Sequence, residues 1–457
     1  MSHKTSPPED GAGLTHRHVL FIALGGAIGV GLFLGSGKSI AVAGPSILFG
    51  YVICGVMVYL IARALGEMTW HTPDAGSFSH FAERYIGSWA GFITGWAYWC
   101  VWILVVMIEL TGIGIQMKTW FPDLPQWITA LAVAAALFCV NLMNVRIFGE
   151  VEFGITLIKI LTVFGLIIVG GGMVLHGQFF SNDPNAPHIS NLWEHGGLLP
   201  FGLKGLLMGL PIAAFSFAGT EVIGLTAAEV REPRKVIPRA INSIIFRIFF
   251  FYISSLTVVM MLYAWNKLDN NASPFVAVFE RAGLSTAATV INLVVITAFL
   301  SQANTGIFAA SRMLHAMASK QHAPFALTRV NRRNIPITSL LVTMGTLMCG
   351  VLLNYLVPEY VFSLLTNSVV VLFIWVWCII LITHICFRRA MARQGIAKND
   401  FSLPLAPWTN IAGLLFQGLL VYLLWSDPSS RILLFTAPLW FGAMFIAWWR
   451  CQRHGRR

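Results

Sequence analysis

The chain has 457 residues, 57% of them hydrophobic and 11% charged, and its mean hydropathy is +0.73. A soluble domain carries roughly 25% charged and 45–50% apolar residues, so a water-soluble globular fold is excluded and the bilayer is the natural solvent. Basic residues outnumber acidic ones, 30 to 19, but they sit in short connections between apolar runs, which argues against a nucleic-acid partner.

The polar start, Met1 to Thr15, has no apolar core or cleavage motif and does not read as a secretory signal. Twelve apolar runs follow, at about 20 residues per crossing. They cover 18–38, 44–66, 86–116, 126–146, 153–175, 201–228, 244–264, 285–312, 337–357, 360–386, 408–425 and 431–449. The predicted fold is all-α and integral to the membrane. An even number of crossings puts both termini, 1–17 and 450–457, on one side. With that side cytoplasmic, 24 Lys and Arg residues fall inside and six outside, as the positive-inside rule requires.

Two runs are interrupted. The first contains Gly25-Gly26-Ala27-Ile28-Gly29-Val30-Gly31, continuing to Gly35; the sixth contains Phe215-Ser216-Phe217-Ala218-Gly219-Thr220-Glu221. They lie five runs apart, and breaks at corresponding places in two halves point to an inverted-repeat transporter with its substrate held between them. The halves are 18–175 and 201–386, with 408–449 appended. In the first break, glycines let a ligand approach the backbone, and a half-helix resuming at Leu32 offers amides to a carboxylate. Close helix packing is the alternative, since Gly31 and Gly35 also have packing spacing.

Three charges lie inside apolar runs: Glu109 in the third, Lys159 in the fifth and Glu221 in the sixth. Each costs on the order of 2.5–3.5 kcal/mol at mid-bilayer, so each is expected to face a cavity, find a partner or carry a proton. Lys159 lies close enough to the cytoplasmic end to snorkel instead, and a structural hydrogen bond is the alternative for each Glu. After the sixth run, Glu229 to Asn242 reads as a charged, Pro-punctuated cytoplasmic loop with a lateral amphipathic piece, suited to gating. No histidines have metal-ligand spacing and no nucleophile motif lies in the membrane, so no enzyme, metal or cofactor is expected. The seven cysteines form no metal-type pair and read as buried, inert thiols.

At these residues the sequence resembles the amino acid transporter family of the amino acid–polyamine–organocation superfamily. The matching stretches include Leu14 to Gly37, Arg63-Ala64-Leu65-Gly66-Glu67-Met68, Gly149-Glu150-Val151-Glu152-Phe153, Phe215 to Glu229, Pro238 to Ser243 and Ser311-Arg312-Met313-Leu314. The resemblance implies a leucine-transporter-type fold of two inverted five-helix repeats. It implies a substrate carboxylate on Gly29-Val30-Gly31, beside Ile28, and an ammonium at carbonyls near Ala23, Phe215, Ser216 and Ala218. Phe215 matches the gating aromatic, and Lys159 matches a lysine that replaces a sodium ion in proton-coupled relatives. Gly154 stands where members often carry Trp, a departure that bears on local packing.

The sequence thus reads as a multi-pass permease of the inner membrane, importing an amino acid with a proton. Lys159 and Glu221 are the candidate proton groups, and Thr220 and Glu109 the candidates for tuning the accepted side chain. An exchanger and a transporter-fold nutrient receptor are the alternatives. The expected partners are the amino acid, the proton and the lipid bilayer, with no obligatory protein partner.

Overall fold

The computed structural model describes residues 29–72, 78–142, 145–180, 186–217, 219–221, 233–268, 273–281, 283–331, 335–396 and 401–454. Ala23, Ile28 and Ala218 lie outside them. Among the described residues there is no strand. Helix is the expected outcome, since an apolar segment in lipid must satisfy its own backbone.

The first run enters through a π-helical turn, Gly31–Gly35, and continues as α1, Ser36–Ala43. Gly44, at φ 60°, bends the chain against Pro200 into α2, Ile47–His71. A short helix α3, Phe78–Tyr85, precedes α4, Ser88–Met117. Then come α5, Gln126–Asn141; α6, Val145–Phe180; and α7, Gly202–Phe215. The second half of the chain opens with α8, Pro233–Arg247, which passes through a π-helical stretch, Ile248–Ser254, into α9, Ser255–Leu262. The remainder is α10, Pro274–Arg281; α11, Ser285–Ser319; α12, Ile337–Leu356; α13, Val361–Arg393; α14, Trp408–Ser426; and α15, Pro428–His454. Helix lies in each of the twelve predicted runs, only in part for the first and sixth. Among the described residues nine helical stretches are long and apolar enough to cross a membrane, α1 and α2 counting as one. The helices α5 and α7 are shorter.

One expectation is corrected. Residues from Pro233 onward are not a loop with a separate lateral piece; they form a helix continuous with the seventh run to Leu262. Pro233 is tolerated at the first helical position. Val236, Ile237, Ala240, Ile241 and Ile244 are all buried at helical spacing. That face packs on α2, where Ile241 fills the space a side chain at Gly66 would need.

The long helices α11 and α13 sandwich α4, whose most apolar window is 78% buried, whereas that of α15 is 0% buried and faces outward. The C-terminal ends of α2 and α13 and the start of α14 are tied by a buried network. Glu67 Oε2 accepts from Leu403 N (2.6 Å) and His384 Nε2 (3.0 Å), and Oε1 lies 3.1 Å from Arg388 Nε. Asn410 Nδ2 donates to Leu381 O (3.1 Å) and to His384 Nδ1 (3.0 Å). Arg388 is the countercharge of Glu67. Glu67→Ala leaves the partly buried Arg388 and the buried Leu403 N–H without their acceptor and is expected to cost about 2 kcal/mol, read as a lowered unfolding temperature in detergent. Glu67→Gln, which keeps an acceptor for Leu403, should lose less.

Candidate functional site

The two breaks meet at the centre of the molecule. Gly29 starts the first: its carbonyl accepts from Leu32 N (3.1 Å) and Phe33 N (3.2 Å), which begins the π-helical turn. The Val30 amide, ahead of that turn, donates to Glu109 Oε1 at 3.2 Å. Glu109 comes from the middle of α4 and is almost wholly buried. A side chain at Gly29 would put its Cβ 2.8 Å from the same oxygen. The carboxylate therefore does two jobs: it caps a half-helix and it requires glycine opposite it.

The second break begins where α7 ends, at Phe215. Ser216 and Phe217 form a turn, and Gly219 adopts φ 93°, a conformation that favours glycine. Hydrogen bonds hold this break both locally and to distant residues. Ser216 Oγ donates to Gly31 O at 3.1 Å, and Tyr252 Oη donates to Ser216 O at 2.5 Å. Gly219 N donates to Glu221 Oε1 at 3.2 Å. Tyr252 stacks on Tyr51 (centroids 5.2 Å apart), and Phe217 closes the aromatic cluster at 4.8 Å from Tyr252. At Gly31 a Cβ would stand 2.8 Å from Ser216 Cα, a backbone atom. The breaks are thus in van der Waals contact, and packing places glycine at 31.

A cavity of about 10 Å³, room for one water-sized group, lies between Trp102, Val105, Gly219, Glu221, Gln302 and Phe373. Glu221 and Trp102 line it, and the Tyr98 hydroxyl interacts with both. Such groups are costly in a dry interior unless something polar meets them.

Lys159 is fully buried, so snorkelling is ruled out. Its ammonium donates to Ser301 Oγ at 2.8 Å, and that hydroxyl donates to Glu152 Oε1. Glu152 and Lys159 lie seven residues apart, two turns on one face of α6. The fields of Glu152 and Glu109 both act on the lysine.

Of the sequence-predicted residues, Gly29, Val30, Gly31, Glu109, Ser216 and Glu221 come together. Ser216 acts as a brace, its carbonyl taken by Tyr252 and its hydroxyl by Gly31. Phe215 is buried at the end of α7, and Thr220 is buried in the turn, but neither lines the cavity. Glu152, Ser301, Gln302 and Tyr252 went unread. The signal for Glu152 was its place two turns before Lys159; the other three sit in helices remote in sequence.

The sequence matches the family described as Amino acid permease across residues 18–457. It is 43% identical over 446 residues to the amino-acid permease AapA of Bacillus subtilis, covering 97% of this chain and 96% of that protein. It is 43% identical over 437 residues to the aromatic amino acid transport protein AroP of Escherichia coli, covering 95% and 94%. The uncharacterized amino acid permease YtnA of Bacillus subtilis is 42% identical over 429 residues, covering 94% and 92%.

Gly31→Ala should raise the apparent substrate constant roughly tenfold, equivalent to about 1.4 kcal/mol, because Ser216 Cα cannot yield as a side-chain tip would. Gly165→Ala, where an added Cβ meets nothing within 4 Å, should leave it unchanged. Substrate-dependent uptake by the two variants at matched expression is the comparison.

Proposed function

The chain belongs to the amino acid permease family, and from that premise we propose that it imports an L-α-amino acid across the cytoplasmic membrane by proton symport. The polypeptide crosses twelve times with both termini inside, as the basic residues are distributed, in two inverted repeats, 18–175 and 201–386, with 408–449 appended. The substrate carboxylate sits on the Gly29–Gly31 backbone and its ammonium beside Phe215, Ser216 and Glu221.

The observation that carries the coupling is the juxtaposition of two sites. Glu109 touches the first break through Val30 N, and it also acts on Lys159, which is linked through Ser301 to Glu152. A substrate carboxylate brought to the Val30 amide adds a negative charge beside Glu109. A proton taken up by the cluster offsets that charge, so each ligand favours the other, as thermodynamic linkage requires. The membrane potential contributes about 2.3 kcal/mol per charge per 100 mV to inward movement.

The side chain accepted is apolar and large, with aromatic amino acids first. AroP is named for aromatic substrates, and Val101, Trp102, Val105 and Phe373 provide apolar walls here.

Uptake should rise with external acidity, ignore sodium and collapse with a protonophore. Lys159→Ala should insert normally yet fail to concentrate substrate. Sodium-dependent uptake without a pH response, or accumulation by Lys159→Ala, would overturn the coupling. In competition, phenylalanine, tyrosine and tryptophan should displace labelled substrate at least tenfold better than lysine or arginine. The reverse order would return Glu109 to charge recognition.

A further inference from the structure

Away from the breaks, a cavity of about 460 Å³ lies at the cytoplasmic ends of α2, α13 and the start of α14. That volume falls within the range of small-ligand sites. Its polar lining is Glu67, His71, Arg388, Arg389 and Asn410. Three of these are already engaged: Glu67 with Leu403, His384 and Arg388, and Asn410 with His384 and Leu381. The Glu67–Arg388 pair is neutral as a unit.

Arg389 and His71 are different. Neither has a hydrogen bond or an ion pair among the described residues, although His71 makes ring contacts with Trp70 and Phe387. Arg389 is exposed and His71 half-buried. Arg234, stacked over Trp70 at 4.8 Å, adds positive charge beside His71. The net charge of this corner is therefore positive. The rest of the lining is apolar, including Ile385, Met391 and Ile396. Apolar walls with an unpaired guanidinium at their edge, on the basic face of a membrane protein, suit a molecule that is anionic at one end and greasy at the other. The cytoplasmic leaflet supplies such molecules.

We propose that this cavity receives the phosphate headgroup of an anionic phospholipid from the cytoplasmic leaflet. The Arg389 fork and the His71 ring meet the phosphate oxygens, and Ile385, Met391 and Ile396 meet the glycerol and the first methylenes. A lipid held there bridges α2 to α13 and α14, the helices that the Glu67 network already joins. Free phosphate shares the anionic chemistry but none of the apolar contact.

The test is thermal unfolding and native mass spectrometry of the detergent-purified full chain with phosphatidylglycerol, phosphatidylcholine or inorganic phosphate. Phosphatidylglycerol should raise the unfolding temperature and remain bound, and phosphatidylcholine should do neither. Arg389→Gln should weaken phosphatidylglycerol binding about tenfold, whereas Arg393→Gln, one turn further along α13 and outside the cavity, should not. If Arg389→Gln does not fold, His71→Gln reads the same contact and should also weaken binding. Equal losses in the Arg389 and Arg393 variants would reduce the effect to surface charge and overturn the proposal. Phosphatidylcholine binding as well as phosphatidylglycerol, or inorganic phosphate alone reproducing the full stabilisation, would overturn it too.

Discussion

A helix broken inside a bilayer exposes backbone groups that lipid cannot satisfy, and each unpaired group costs several kcal/mol there. The arrangement at the centre of this protein follows from that constraint. Val30 N is met by Glu109, Gly31 O by Ser216, Ser216 O by Tyr252 and Gly219 N by Glu221. These partners come from α4, from the π-helical stretch after α8 and from the breaks themselves. Satisfying the backbone thus holds the site together, and loosening any of these ties frees a polar group for a ligand to meet.

The same ties bring charge to the site. Glu109 caps Val30 only because α4, the most enclosed helix, passes beside the first break. That position also places its carboxylate within the field of Lys159. Lys159 and the two carboxylates are all buried. Glu152 and Lys159 share one face of α6, and α11 supplies Ser301 between them.

Much of this was legible in the sequence, because lipid imposes simple rules. Apolar runs gave the helices, and glycines marked both breaks. Glu109, Lys159 and Glu221 stood out because charge is expensive in apolar surroundings. The rest depended on contacts between residues far apart in the chain. Glu152 lies at the edge of its run, where a carboxylate looks like a loop residue, until the fold buries it against Ser301. Tyr252 looks like one aromatic among several phenylalanines, and only the fold aims its hydroxyl at Ser216. Glu67 and His384 look like residues at run ends; 317 positions separate them, and the fold puts them 3.0 Å apart. The segment from Pro233 was misread because two prolines and a cluster of charges outweighed an apolar face at helical spacing.

The central claim is that substrate and proton move together through the Lys159 cluster. The most direct measurement is proton entry into proteoliposomes, followed with a trapped pH-sensitive dye as amino acid is added outside without any imposed ion gradient. The account predicts that a transported amino acid acidifies the lumen, and that Lys159→Ala abolishes the acidification even where it still binds substrate. Amino acid entry through the wild-type protein with no change in lumenal pH would contradict it.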